Sequence, residues 1–92
     1  MKILKYPLIV TDEQIVMIPE NAVLLSIQAN EHNQIFMWAL AEPNNDLLKH
    51  KFRIYGTGHE LDENIDTLDY LGTVQTHHGS LVWHIFDMGE VE

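Results

Sequence analysis

The sequence predicts an all-β fold, a small antiparallel β-sandwich or open barrel of about seven short strands. Two observations lead to this prediction. Apolar and polar residues alternate with a period of two along most of the chain, and turn residues interrupt the alternation at short intervals. Because 92 residues form one small domain, we treat residues 1–92 as a single unit.

The first half of the chain contains four predicted strands. In the first of them, Pro7 lacks an amide hydrogen, so we expect that strand either to lie at a sheet edge or to break at Pro7. Within the third strand, one face is expected to carry Val23, Leu25, Ile27 and Ala29, and the other Ser26 and Gln28. The predicted strands are residues 4–8, 14–18, 23–29 and 35–41.

The fourth strand is apolar on both faces. Its even-numbered face carries Phe36, Trp38 and Leu40, while Ile35 and Met37 lie on the other side. Such a strand is either central and covered on both sides, or its second face contacts another copy of the chain. We expect a homo-oligomer in which Phe36, Trp38 and Leu40 form the interface.

The second half of the chain contains three further predicted strands. The spacing of Leu61, Ile65 and Leu68 favours a short helical turn near residues 61–68. In the last strand, Trp83 and Ile85 are expected on one face and His84 and Phe86 on the other, and one of the two faces is expected to be core. The predicted strands are residues 49–55, 70–76 and 81–87, and residues 77–80 join the final hairpin. In the first of these strands, alternation places Phe52 and Ile54 inward, so Arg53 and Tyr55 are expected to project from its solvent face.

The charge and composition exclude several classes of protein. With 5 basic and 14 acidic residues the formal net charge is −9, which repels phosphate, so direct nucleic-acid binding is not expected. The acidic excess either keeps the protein soluble or attracts a basic protein partner. Cysteine is absent, which excludes disulfides and thiolate chemistry, and the longest apolar run is too short to cross a membrane.

One loop is a candidate anion-binding site. Glycines close together at the end of a strand expose backbone amides that bind anions, and an arginine adds a bidentate contact. The alternative is a tight turn that needs glycine for steric reasons, with the arginine paired to a neighbouring acid. The candidate residues are Arg53, Tyr55, Gly56, Thr57, Gly58 and His59.

Catalytic and metal sites find little support in the sequence. Residues 59–63 begin like a zinc-protease helix but lack its second histidine, so no metal is predicted. Ser26 and Ser80 lack the glycine-flanked turn of an exposed nucleophile. His84, beside Phe86, is a secondary binding candidate. We therefore predict no enzymatic activity and no cofactor.

Several segments resemble a family of small phage and prophage proteins that carry a domain of unknown function. The resemblance covers nearly the whole chain, and its most specific part is an Arg-x-x-Gly-Thr-Gly-His sequence. It implies a viral accessory protein that acts in the cytoplasm of a bacterial host, but it carries over no catalytic residue. The matching segments are Ile18-Pro19, Ala22-Val23-Leu24, Trp38-Ala39-Leu40, Phe52-Arg53-Ile54-Tyr55-Gly56-Thr57-Gly58-His59, Tyr70-Leu71-Gly72-Thr73 and Leu81-Val82-Trp83-His84-Ile85-Phe86.

These observations together favour a non-enzymatic binding protein. The leading hypothesis is an accessory or inhibitor protein that contacts a host or defence protein. An alternative is a protein that sequesters a small anionic ligand or signalling nucleotide at the Arg53–His59 loop, and a structural component of the virion is the less favoured third class.

Overall fold

The fold is all-β, as predicted. The computed structural model describes residues 1–61 and 64–91, which form seven strands and one short 3-10 turn at Ile65–Thr67. That turn lies within the span predicted for it, of which residues 62–63 fall outside the described part. The strands are β1 (Lys2–Leu8), β2 (Glu13–Pro19), β3 (Val23–Ala29), β4 (Ile35–Ala41), β5 (Leu47–Gly56), β6 (Asp69–Thr76) and β7 (Leu81–Glu90).

The strands form two antiparallel sheets that face each other. The three-stranded sheet has the order β1-β4-β3, the four-stranded sheet has the order β2-β5-β7-β6, and the two do not close into a barrel. Both sheets supply the apolar core between them. Its buried members are Leu8, Ile18, Ile27, Ile35, Met37, Phe52, Ile54, Val74 and Ile85.

Two predictions about individual strands are confirmed. β1, which contains Pro7, is an edge strand, because the missing amide hydrogen is tolerated where no further strand pairs. β7 sends Trp83 and Ile85 into the core, while His84 and Phe86 lie on the opposite face.

The predicted face of β3 is wrong at its beginning. The pairing of β3 with β4 shifts register between Leu24 and Ser26, which marks a β-bulge. The extra residue reverses the alternation, so Leu24 packs against the core while Val23 and Leu25 are exposed. Only after the bulge does Ile27 return to the core.

The last hairpin has an unusual turn. His77 and His78 both adopt positive φ, 54° and 57°, and the Gly79 amide donates to the Thr76 carbonyl at 3.1 Å. This is the backbone of a type I′ turn, which normally selects asparagine and glycine.

Among the described residues, no helix is long and apolar enough to cross a membrane.

Candidate functional site

Arg53 and Tyr55 occupy the predicted face of β5 but are not open to solvent. Both lie on the outer face of the four-stranded sheet, opposite the core residue Phe52, yet they are only 9% and 5% exposed. The expectation that they project into solvent is therefore wrong. Phe86 on the neighbouring strand packs edge-on against Tyr55, with ring centroids 5.8 Å apart, and contributes to this cover.

An acid on the neighbouring strand pairs with two of the cations of β5, Lys51 and Arg53. Glu13 lies directly opposite Arg53 in the ladder, and its Oε1 is 2.6 Å from Arg53 Nη1. Its Oε2 is 3.1 Å from Lys51 Nζ. The hydrogen bond from Lys51, with a further contribution from Arg53, lowers the pKa of the Glu13 carboxyl. Arg53 thus takes part in an ion-pair network. This agrees with the alternative interpretation of the loop, in which the arginine pairs with an acid of the protein itself.

The Gly-Thr-Gly-His loop uses its backbone amides within the protein. The Gly56 amide donates to His59 Nδ1 at 3.2 Å, and the His59 amide donates to the Gly56 carbonyl at 3.1 Å. The Thr57 amide donates to the Val82 carbonyl at 3.2 Å. An anion nest needs free amides, so these three bonds reduce the support for that hypothesis.

Each glycine of this loop has a specific structural reason. Gly58 has φ of +90°, a conformation that favours glycine. A Cβ at Gly56 would lie 2.8 Å from Cε1 of His59, so the imidazole ring needs the absence of a side chain there. Because Nδ1 accepts the Gly56 amide hydrogen, the neutral ring carries its own hydrogen on Nε2. The loop therefore presents His59 as a donor.

A cavity lies where this loop meets the last hairpin. Its volume is about 330 Å³, which is within the size range of small-ligand sites. Neither Arg53 nor Tyr55 is among the residues that line it. The candidate group divides into three buried members, Arg53, Tyr55 and Gly56, and three exposed ones. The lining residues are Gly56, Thr57, His59, Ser80, Leu81, Val82 and Trp83.

His84 is held by two hydroxyl groups. Its Nε2 is 2.7 Å from Thr57 Oγ1, and its Nδ1 is 3.0 Å from Thr73 Oγ1. Thr73 Oγ1 in turn contacts the hydroxyl of Tyr70. The Thr57–His84 distance suits a nucleophile and its base, but the second partner of His84 is a hydroxyl where such pairs normally use a carboxylate. The sequence placed His84 and Thr57 in separate candidate groups, and the strand register brings them together.

The outer face of the three-stranded sheet is apolar along its central strand, and Lys5, Ser26 and Gln28 lie on the flanking strands. Phe36, Trp38 and Leu40 are half-buried along β4, where their rings and side chains have no covering layer in the described structure. Ile3 of β1 and Val23 of β3 lie on either side of Leu40 and are exposed. We call these five residues the β4 face.

One cation lies beside the β4 face. Lys5 Nζ is 4.0 Å from the ring centroid of Phe36 and 5.7 Å from that of Trp38, so its charge is held against the aromatic rings. Because side chains alternate along β1, the sequence already puts Ile3 on the same side as Lys5, so the place of Ile3 on this face could have been predicted. Val23 had no such signal, because the bulge in β3 reverses its direction.

The remaining histidines and acids do not form a metal site within the described residues. No three histidine, aspartate or glutamate side chains there are placed to hold one ion. The segment that resembles a zinc-protease helix is described only as far as Leu61 and again from Asn64, so its last two acids lie outside the described residues.

Comparison with known proteins gives one match. The sequence profile of a domain of unknown function (DUF7352) matches residues 1–92. No curated protein and no solved structure matches the chain.

Proposed function

Because the chain belongs to the DUF7352 family of unknown function, we propose its role from its own surfaces. The protein is a binding module without enzymatic activity, and it contacts another protein through the β4 face. Its origin is a phage or prophage, and it acts in the cytoplasm of the bacterial host as an accessory or inhibitor of a host or defence protein.

The single observation that carries this proposal is the continuity of the β4 face across three strands. Ile3, Leu40 and Val23 lie opposite one another in register, with Trp38 and Phe36 further along the central strand. Tryptophan and phenylalanine are enriched at the centres of protein interfaces and depleted from ordinary exposed surface. An acid is absent from these five positions in a chain of net charge −9, so the surface differs from the rest of the molecule.

The charge and the sequence resemblance support the finer parts of the proposal. A net charge of −9 steers the protein towards basic partners and away from nucleic acid. The resemblance of the Arg53–His59 segment to small phage proteins supports a viral origin and action inside a bacterial host.

A small-ligand function is the second candidate, because the 330 Å³ cavity gives it a location. There, His59 Nε2–H lies beside the apolar surface of Trp83, and Thr57, whose hydroxyl contacts His84, lines the same cavity. The chemistry favours a neutral or weakly anionic ligand, since Arg53 does not line the cavity. Native mass spectrometry of protein purified from its host tests this candidate, which requires a retained small molecule that is lost in His59→Ala.

Affinity capture with two matched variants tests the leading proposal. Val23→Glu places a charge on the β4 face, and Leu47→Glu places the same charge on the other sheet, at residues that are 54% and 55% exposed. We expect wild-type protein and Leu47→Glu to capture the same host protein from a bacterial lysate. Val23→Glu should capture at least tenfold less of that protein, because the interface would bury an unpaired carboxylate.

Quantitative mass spectrometry of the captured material measures this difference. Both variants are first checked by circular dichroism for the β spectrum of the wild type. Capture that survives Val23→Glu, or that is lost equally with Leu47→Glu, contradicts the proposal.

A further inference from the structure

One edge strand of the four-stranded sheet, β2, has the features that keep strand edges from pairing only at its two ends, in Glu13 and Pro19. Exposed edges are normally protected by charge, proline, a bulge or a covering element. β1 carries Lys2, Lys5 and Pro7. β3 and β6 lie side by side, and the register of each is interrupted by a bulge. By contrast, β2 pairs with β5 in an unbroken register, and Gln14–Ile18 contains neither charge nor proline.

The backbone of β2 presents hydrogen-bonding groups along this edge. The Ile54 amide donates to the Asp12 carbonyl at 3.1 Å, and the Glu20 amide donates to the Asp46 carbonyl at 2.8 Å. In an antiparallel ladder, hydrogen-bonded and non-hydrogen-bonded residues alternate along each strand. The backbone amides and carbonyls of the even-numbered residues of β2 therefore point towards β5. The amides and carbonyls of Ile15 and Met17 therefore point away from β5, towards the open edge.

The side chains of this edge suit an apolar contact. Ile15 and Met17 are exposed on the outer face, while Val16 and Ile18 pack towards the core. The nearest charge on the strand is Glu13, which Lys51 and Arg53 neutralise. In a protein of net charge −9, an uncharged edge is where two copies approach without mutual repulsion.

We propose that β2 pairs with the β2 of a second copy of the chain. Pairing centred on Val16 makes Ile15 of each copy face Met17 of the other, so the exposed apolar side chains meet. In that register the outward amide and carbonyl of each of these residues bond to those opposite, and the two four-stranded sheets become one.

A second copy fits this edge better than an unrelated strand. The segment Gln14–Ile18 can pair with its own reverse about Val16, because Ile15 then meets Met17, Val16 meets Val16, and Gln14 meets Ile18 with no like charges opposed within the segment. Two-fold symmetric contacts are of this kind. The inference gives homo-oligomerisation a surface separate from the β4 face, and it does not depend on the proposed function.

Sedimentation velocity with a proline variant tests this pairing. Wild-type protein should sediment as a dimer of twice 10.7 kDa at tens of micromolar, an order-of-magnitude concentration for modest interfaces. Met17→Pro removes an amide that faces the open edge and leaves the β2–β5 bonds intact. We expect it to weaken the dimer at least tenfold while keeping the wild-type circular dichroism spectrum.

A pair of lysine variants locates the interface. Ile15→Lys charges the β2 edge, and Val23→Lys places the same charge on the β4 face, at positions 53% and 54% exposed. Only Ile15→Lys should raise the dimer dissociation constant. Dimer loss with Val23→Lys alone would overturn the β2 pairing in favour of the face around Trp38, and a monomeric wild type or open-ended larger species would overturn it as well.

Amide hydrogen exchange of the wild type gives a result that needs no variant. The amides of Ile15 and Met17 should exchange slowly at high protein concentration and at least tenfold faster on dilution. Fast exchange of both amides at every concentration overturns the proposal.

Discussion

Arg53 shows how one residue satisfies a sequence motif and yet serves the fold. Alternation in β5 correctly predicted its face. Its burial depends on neighbours from other strands, Glu13 of β2 among them, and on the aromatic ring of Tyr55, 5.1 Å from the guanidinium carbon. A single sequence does not reveal which residues stand opposite one another across a sheet, so the burial was not predictable from the local pattern.

The acid that neutralises Arg53 should make stability depend on pH. Glu13 has a pKa below its ordinary value of 4.5 in the folded protein, chiefly because Lys51 donates a hydrogen bond to it. Since the folded state then holds its proton less tightly than the unfolded state, the stabilisation is present above the unfolded pKa. It is lost as pH falls through the lower, folded pKa.

Glu13→Gln tests this linkage by thermal melting. At about pH 7 the variant should have a lower melting temperature than the wild type. The difference in melting temperature should shrink as the pH falls below the pKa of an ordinary glutamate. Asp46→Asn is the control, because Asp46 is an exposed acid for which no ion pair is seen among the described residues. A difference for Glu13→Gln that stays constant across the acid range would show that the carboxylate charge is not its source.

At the scale of elements, the period-two pattern of the sequence predicted where the strands lie. It also predicted which face of a strand is buried wherever that pattern was unbroken. All seven strands lie within a few residues of the predicted ranges. The predicted face was wrong at the start of β3 because a bulge adds one residue there. In an apolar run such as Val23-Leu24-Leu25 the sequence pattern does not reveal the extra residue. The candidate loop was located by its glycines, but its internal hydrogen bonds depend on where the His59 ring packs.

The loop after β5 offers a prediction about that packing. Gly56→Ala should destabilise the protein by about 1 kcal/mol, the usual net value of one hydrogen bond, because the new Cβ displaces the exposed His59 ring from the Gly56 amide. The cost should fall when His59→Ala is already present, since the ring that obstructs the Cβ has been removed. A double-mutant cycle by urea denaturation measures this coupling, and equal costs in both backgrounds would show that the ring is not the obstacle.

The whole molecule distributes its features over distinct surfaces. The β4 face is apolar, the outer face of the four-stranded sheet carries the ion pairs of Glu13 and the hydroxyl contacts of His84, and the β2 edge is uncharged. The sequence predicted that Phe36, Trp38 and Leu40 share one face of β4, because side chains alternate along a strand, and it left open whether that face is covered within the fold or contacts another copy. It did not predict the edge, since strand order decides which strand lies outermost.

The two tryptophans provide the most direct test of the central claim that the β4 face binds the partner. Trp38 lies on that face, whereas Trp83 packs against the core and donates its indole hydrogen to Thr76 Oγ1 at 3.1 Å. Trp83→Phe leaves Trp38 as the only indole, and Trp38→Phe leaves Trp83. Fluorescence is recorded for each variant while the captured partner is added.

The account predicts that Trp38 emission moves to shorter wavelength and becomes protected from acrylamide quenching as the partner binds, because the indole leaves water. Trp83 emission should not change under the same conditions. Saturable binding of the partner that leaves Trp38 emission and quenching unaltered would contradict the assignment of the β4 face.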